Sequence, residues 1–245
     1  MQKIFSVLLV LLLASCSSKQ YDTIIKNGMV YDGNGGDPFK ADIAIKGDTI
    51  AFIGDLSNAT AINIVDAKGM AVSPGFINML SWAPTSLMID GNSQGDIRQG
   101  VTLEVFGEGS SMGPLNPKMK QQMIDDQTGK IKLPVEWNTL GEYMHYMEKK
   151  GISCNIASYV GATTIRENVI GEDNRAPTEK ELLQMQALVK QAMEEGALGV
   201  GSSLIYPPAF FAKTEELIAL CKAAAPYGGG YISHMRSEGN NFIEA

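Results

Sequence analysis

Between Tyr21 and Asp66 apolar and polar residues alternate in short runs, and from Ala71 onward β-rich runs take turns with helical stripes. The first stretch predicts strands at residues 23–25, 29–31, 42–45, 49–53 and 62–65. Turn chemistry stands between them at Asn27-Gly28, at the glycine-rich residues 32–37, at Gly47-Asp48 and at Gly54-Asp55. The second stretch predicts strands at 72–79, 102–106, 153–160, 197–201 and 230–234, with helices at 85–99, 117–127, 139–149, 178–195 and 214–225. Two helix starts carry the spacing of a capping box, Thr139 with Glu142 and Thr178 with Glu181. Leu182, Met185, Val189 and Ala192 form one apolar stripe that Gly196 ends.

Strands alternating with helices predict a parallel sheet, and eight such units would close a β/α barrel of roughly 250 residues. Only about five fit into the 245 residues after the leading segment and the small β-rich stretch. The fold class expected is therefore α/β, with a small β-domain ahead of part of a barrel. The organisation expected is residues 1–16 as a signal, 21–70 as a small β-sandwich segment and 71–245 as the front of the barrel. A five-strand arc leaves parallel edges and an unfilled interior. The chain is thus expected to be the front part of a longer protein, shortened by truncation or frameshift; the alternative is an open five-strand α/β domain.

Composition alters this picture in three places. A net charge of −7 offers no electrostatic footprint for nucleic acid. Two histidines in the whole chain are a scarce supply for a metal enzyme. Lys3, the apolar run to Leu13 and then Leu13-Ala14-Ser15-Cys16 read as a secretory signal, too short for a membrane span. Leu-Ala-Ser-Cys resembles the bacterial lipobox, which makes Cys16 the expected lipidation site and the cell envelope the expected location, periplasm-facing or outer membrane. Membrane attachment is then by the lipid anchor only; the alternative is a plain signal with an incidental cysteine. Cys154 and Cys221 read as two separate buried thiols, with pairing as the alternative.

Pro74-Gly75-Phe76-Ile77-Asn78 resembles the entry signature of the amidohydrolase superfamily, P-G-F-I-D-x-H-x-H, except that Leu80 and Trp82 stand where its histidines would be. Residues 26–33 are similar to the K-N-G-x-V-x-D-G element of the β-domain flanking those barrels. Residues 99–115, Leu204-Ile205-Tyr206-Pro207-Pro208 and His234-Met235-Arg236-Ser237-Glu238-Gly239 are similar to segments of D-aminoacylases, the N-acyl-D-amino-acid deacylases. That resemblance implies a zinc-dependent hydrolase of linear amides acting on a small N-acyl amino acid, with one zinc ion. The missing lysine at the fourth strand end also points to one ion.

The same resemblance assigns site residues. A family cysteine that ligates zinc is replaced here by Glu108, and a carboxylate is an acceptable ligand; the alternative is a solvated loop glutamate. His234 ends a predicted strand and is the second expected metal ligand, whereas His145 reads as a surface or packing residue. Tyr206 is an expected substrate-binding donor, or else an aromatic rim residue. Arg166 is an expected bidentate grip on a substrate carboxylate, or else a structural clamp, and Ala162 stands at a family histidine position. Trp82 reads as a pocket wall. A further histidine and the general-base aspartate are implied beyond Ala245, so this polypeptide alone is expected to be inactive and its general base is not among its residues. Two rival readings are a catalytically inactive binding lipoprotein and a dihydroorotase-like hydrolase of cyclic amides; the missing strand-four lysine speaks against the second.

Overall fold

The structure, a computed structural model, describes residues 20–129 and 131–245. The signal and Cys16 lie outside the described residues. The chain divides into two compact units, one ending at Pro74 and the other running Gly75–Ala245.

The first unit is built on β1 (Tyr21–Val30). Around it stand β2 (Phe39–Lys46), β3 (Thr49–Gly54), β4 (Ala61–Asp66) and β5 (Ala71–Val72). All five share one sheet of order β3-β2-β1-β4, with β5 also on β1. β2 runs antiparallel to β1, while β4 and β5 run parallel to it. Residues 21–70, expected as a small β-sandwich segment, contribute this one sheet among the described residues. β1 is ten residues long, so β4 and β5 line up along one edge of it while β2 takes the other. Ile24, Ala44, Leu56 and Ala61 form its buried core.

Asn27-Gly28, expected to be a turn, is a bulge inside β1, where the register with β2 shifts between Ile25 and Gly28. Asn27 takes a left-handed backbone (φ 58°). Its N–H donates to Asp42 Oδ1 (2.9 Å) and its side-chain amide to Asp66 Oδ1 (2.8 Å). Asp42 satisfies the backbone N–H that the bulge frees and Asp66 holds the Asn27 side chain, so the strand continues rather than reversing.

The second unit has two parallel three-stranded sheets. One is β6 (Phe76–Asn78), β7 (Val101–Phe106) and β8 (Asn155–Ser158); the other is β9 (Val160–Gly161), β10 (Gly199–Ser203) and β11 (Gly230–His234). The strand expected at 153–160 is interrupted at Tyr159: its first part pairs with β7 and its last with β10. The strand expected at 72–79 also divides. Val72 stays in the first unit's sheet, and β6 pairs with β7 beyond Pro74, which has no N–H to continue a ladder. Among the described residues β6 and β11 each pair on one side only.

The helices are α1 (Pro84–Ile89), α2 (Gln94–Ile97), α3 (Pro117–Asp125), α4 (Leu140–Lys150), α5 (Ala162–Val169), α6 (Glu179–Glu194) and α7 (Thr214–Ala224). The helix expected at 85–99 breaks into α1 and α2. Asp90 Oδ1 accepts the Asn92 N–H (3.0 Å) in a side-chain turn, and Gly91 packs against the Gly151 carbonyl. α5 follows the third strand, where no helix is expected from the sequence. Trp137, Tyr143, Met147, Ile165, Met185, Val189 and Leu220 fill the core under these helices. No helix among the described residues is long and apolar enough to cross a membrane.

Both capping boxes form. At α6 the Glu181 N–H donates to Thr178 Oγ1 (3.3 Å), and Glu181 Oε2 accepts the Thr178 N–H (2.7 Å). Arg175 also donates to Glu181 (2.8 Å), and its guanidinium is the main reason that carboxyl is held far below its usual range. The stripe predicted for α6 turns inward at Met185, Val189 and Ala192, joined by Met193. Thr178→Ala should lower the unfolding free energy by about 1 kcal/mol, read from the urea midpoint; an unchanged midpoint contradicts the cap's role.

Candidate functional site

Glycine sets the path of the loop after β7. Gly107 has φ +94°, and a Cβ there would overlap the Tyr159 carbonyl oxygen. A Cβ on Gly201 of β10 would overlap the Gly107 carbonyl in turn. Without side chains at these positions, backbone packs on backbone and the loop lies across the ends of the neighbouring strands. Hydrogen bonds hold it there: the Thr163 N–H donates to Gly109 O (3.0 Å), and Ser203 Oγ to Glu108 O (3.2 Å).

This loop delivers Glu108 to the far side of the arc, where His234 ends β11. Glu108 Oε2 lies 3.9 Å from His234 Nδ1, and that oxygen is buried with no hydrogen-bond partner. On the other side of the imidazole, Glu238 Oε1 lies 3.3 Å from Nε2. The Tyr206 ring centroid is 5.7 Å from that of His234. Glu108, His234 and Tyr206, with Leu80, Trp82 and Glu167, line a cavity of about 590 Å³. Burial, and then the neighbouring Glu172 charge, push the Glu167 carboxyl above its usual range.

The donor chemistry fits a cation. An ionised carboxylate only accepts hydrogen bonds, and 3.9 Å is too long for a hydrogen bond from His234. Two donor atoms sharing a tetrahedral zinc stand about 3.4 Å apart, by ordinary zinc–nitrogen and zinc–oxygen lengths. Closing that gap takes about half an ångström. Glu238 stands where a ligating histidine gives its remaining N–H. Among the described residues no group of three or more His, Cys, Asp and Glu side chains gathers to hold a metal; Glu108 and His234 are two potential donors facing one another.

The other expected site residues fall differently. Arg166 is corrected from a substrate grip to a clamp inside the fold. Its side chain is 1% exposed, Nη1 donates to Glu216 Oε2 (2.6 Å), and Nη2 donates to the carbonyls of Asp173 (2.9 Å) and Arg175. α5 turns it away from the cavity, and that helix is what the sequence reading lacked. Tyr206 and Trp82 do line the cavity. His145 is exposed, 3.5 Å from Glu148. Cys154 is buried, while Cys221 is only partly so, and both are free.

Sequence reading missed Glu104, the fully buried carboxylate of β7. Ser81 Oγ donates to it (2.6 Å), as do Ser93 Oγ (2.8 Å) and the Cys154 thiol (3.1 Å). Burial, followed by the hydrogen bond to Glu104, pushes that thiol up to about 11. A glutamate within Val101-Thr102-Leu103-Glu104-Val105-Phe106 was the available signal. Through Ser81, Glu104 anchors the segment that carries Leu80 and Trp82.

The chain is 33% identical over 237 residues to the D-aminoacylase of Alcaligenes xylosoxydans xylosoxydans, covering 95% of this chain and 48% of the relative. It is 32% identical to the N-acyl-D-aspartate deacylase of the same organism, over 92% of this chain and 45% of that one. A solved N-acyl-D-glutamate deacylase from Bordetella bronchiseptica, complexed with zinc and a phosphonate inhibitor, superposes with a TM-score of 0.80. It is 28% identical and is matched over 92% of this chain and 47% of its own. The chain belongs to the D-aminoacylase family of amidohydrolases. No family model matches it. It spans about half the length of the D-aminoacylase-family relatives it matches. Within that family, then, this chain places a carboxylate and an imidazole face to face and puts Arg166 into the interior.

Removing one partner of the buried Arg166–Glu216 pair leaves a charge uncompensated, so Glu216→Ala should destabilise by about 3–5 kcal/mol in urea unfolding. A variant of unchanged stability would contradict the clamp.

Proposed function

We propose that this chain carries part of the active site of a zinc-dependent amidohydrolase that deacylates N-acyl-D-amino acids. We further propose that the parallel strands of the second unit, with β8 and β9 counted as one interrupted strand, are the first five of an eight-unit barrel. The observation that carries the reading is the buried, unpartnered Glu108 Oε2 facing His234 Nδ1 at 3.9 Å on the wall of a ligand-sized cavity. The relatives' names support linear N-acyl amino acids as the substrate class.

In the reaction a water oxygen bonds to the amide carbonyl carbon, the C–N bond breaks, and a proton passes to the departing nitrogen. The products are a carboxylic acid and an amine. Zinc, when bound, would supply Lewis-acid polarisation of the carbonyl oxygen and of water. Glu108 and His234 would hold it, and Glu238 would orient the imidazole. Tyr206, at the rim beside His234, is the phenol placed to donate to a developing oxyanion. The proposed location is the cell envelope, with the chain anchored by a lipid on Cys16; Leu13-Ala14-Ser15-Cys16 supports it. Neither an inactive binding lipoprotein nor a cyclic-amide hydrolase is favoured by relatives named as acyl-amino-acid deacylases.

Glu108→Gln and His234→Ala should each weaken zinc binding at least about tenfold, the scale on which even outer partners of a metal ligand act. Competition with a chromophoric chelator measures this. Equal affinity in the parent chain and both variants would remove the basis of the proposal.

A further inference from the structure

A second cavity of about 190 Å³ lies beside the first and shares Leu80, Trp82, Glu108 and Ser110 with it. Beyond that seam its walls are Phe106, Met112, Met123 and Tyr143, with a few hydroxyl-bearing residues. Those hydroxyls are already engaged. Ser81 Oγ donates to Glu104 (2.6 Å), Ser111 Oγ to Gly113 O (2.6 Å), Ser158 Oγ to Tyr159 O (2.7 Å) and the Tyr143 phenol to Pro84 O (3.0 Å). Burial is the main reason the Tyr143 hydroxyl is held well above its usual range, which keeps it a neutral donor. The inner end therefore favours apolar groups, and the free polar groups stand at the mouth, on Glu108 and Ser110. The wall shared with the first cavity is fixed in place, because Ser81, between Leu80 and Trp82, is tied to Glu104.

We infer that this cavity receives an apolar arm of an N-acyl amino acid whose amide lies at the seam. The inference rests on Glu108 and His234 being the reacting end of the site. Volume limits the arm. Whole small-molecule ligands occupy sites of about 300–1,000 Å³, so the smaller cavity takes part of a molecule. At the roughly 30 Å³ of a water-sized group in a liquid, it holds about six heavy atoms. Leu80 and Trp82 make this lobe, since the imidazoles expected at their positions by family resemblance would bring polar nitrogens to the wall.

Calorimetric binding to the 245-residue chain, with zinc present and without turnover, tests it. One series lengthens the acyl group of an N-acyl-D-alanine from acetyl to octanoyl; the other holds N-acetyl and lengthens the side chain from D-alanine to D-norleucine. Affinity should rise about fourfold per methylene, the ratio equivalent to burying one such group, and the acyl series should level off near six carbons. The series that shows the rise identifies the arm as acyl tail or side chain. Met123→Trp, which fills the cavity, should flatten the rise, and Met123→Ala should carry it further. Two flat series, or a rise that both substitutions leave untouched, would overturn the inference. Chelator competition on the same preparation reports separately on the metal reading: zinc bound with flat series overturns the arm alone, and absent zinc binding overturns the site on which it rests.

Discussion

A buried carboxylate oxygen with nothing to accept from is the constraint around which the second unit makes sense. Leaving such an acceptor unpaired costs about 1–3 kcal/mol, more for a charged group, and native folds rarely leave one without a reason. Glu108 Oε2 stands in that condition opposite His234 Nδ1, at a distance too long for a hydrogen bond between them. The proposed cation between the two donors would resolve the arrangement, and the histidine's far side already has Glu238 beside it.

Everything nearby serves to hold that confrontation. Gly107 and Gly201 let the Glu108 loop lie backbone-on-backbone against β10, so the carboxylate crosses to the strand that carries His234. Glu104 gathers Ser81, Ser93 and Cys154 and fixes the segment bearing Leu80 and Trp82. Arg166 joins α5 to Glu216 of α7 behind the site. The two acids thus act differently according to their partners. Glu104 has three donors around it and acts as an anchor; Glu108 has an oxygen without one and faces the cavity.

Much of this was legible in the sequence, for identifiable reasons. Capping boxes are local, so Thr139 and Thr178 placed their helix starts from a few residues. Glu108 and His234 could be singled out because each stands at the end of a β-rich run in a segment resembling the family's, and parallel strands carry chemistry at their C-terminal ends. The failures were non-local. Asn27-Gly28 has turn chemistry, yet Asp42 and Asp66, both distant in sequence, stabilise it as a bulge. From sequence Arg166 stands between pocket grip and structural clamp, because the helix at Ala162 has no side-chain cap to announce it. Its partner Glu216 lies fifty residues on. Glu104 was passed over because its three donors come from three separate segments.

X-ray absorption at the zinc edge of the loaded chain tests the central claim most directly. The account predicts nitrogen and oxygen neighbours at about 2.0–2.2 Å with imidazole outer-shell scattering, the imidazole signal vanishing in His234→Ala and the inner shell changing in Glu108→Gln. A spectrum of hydrated zinc, or one that neither substitution alters, would contradict it.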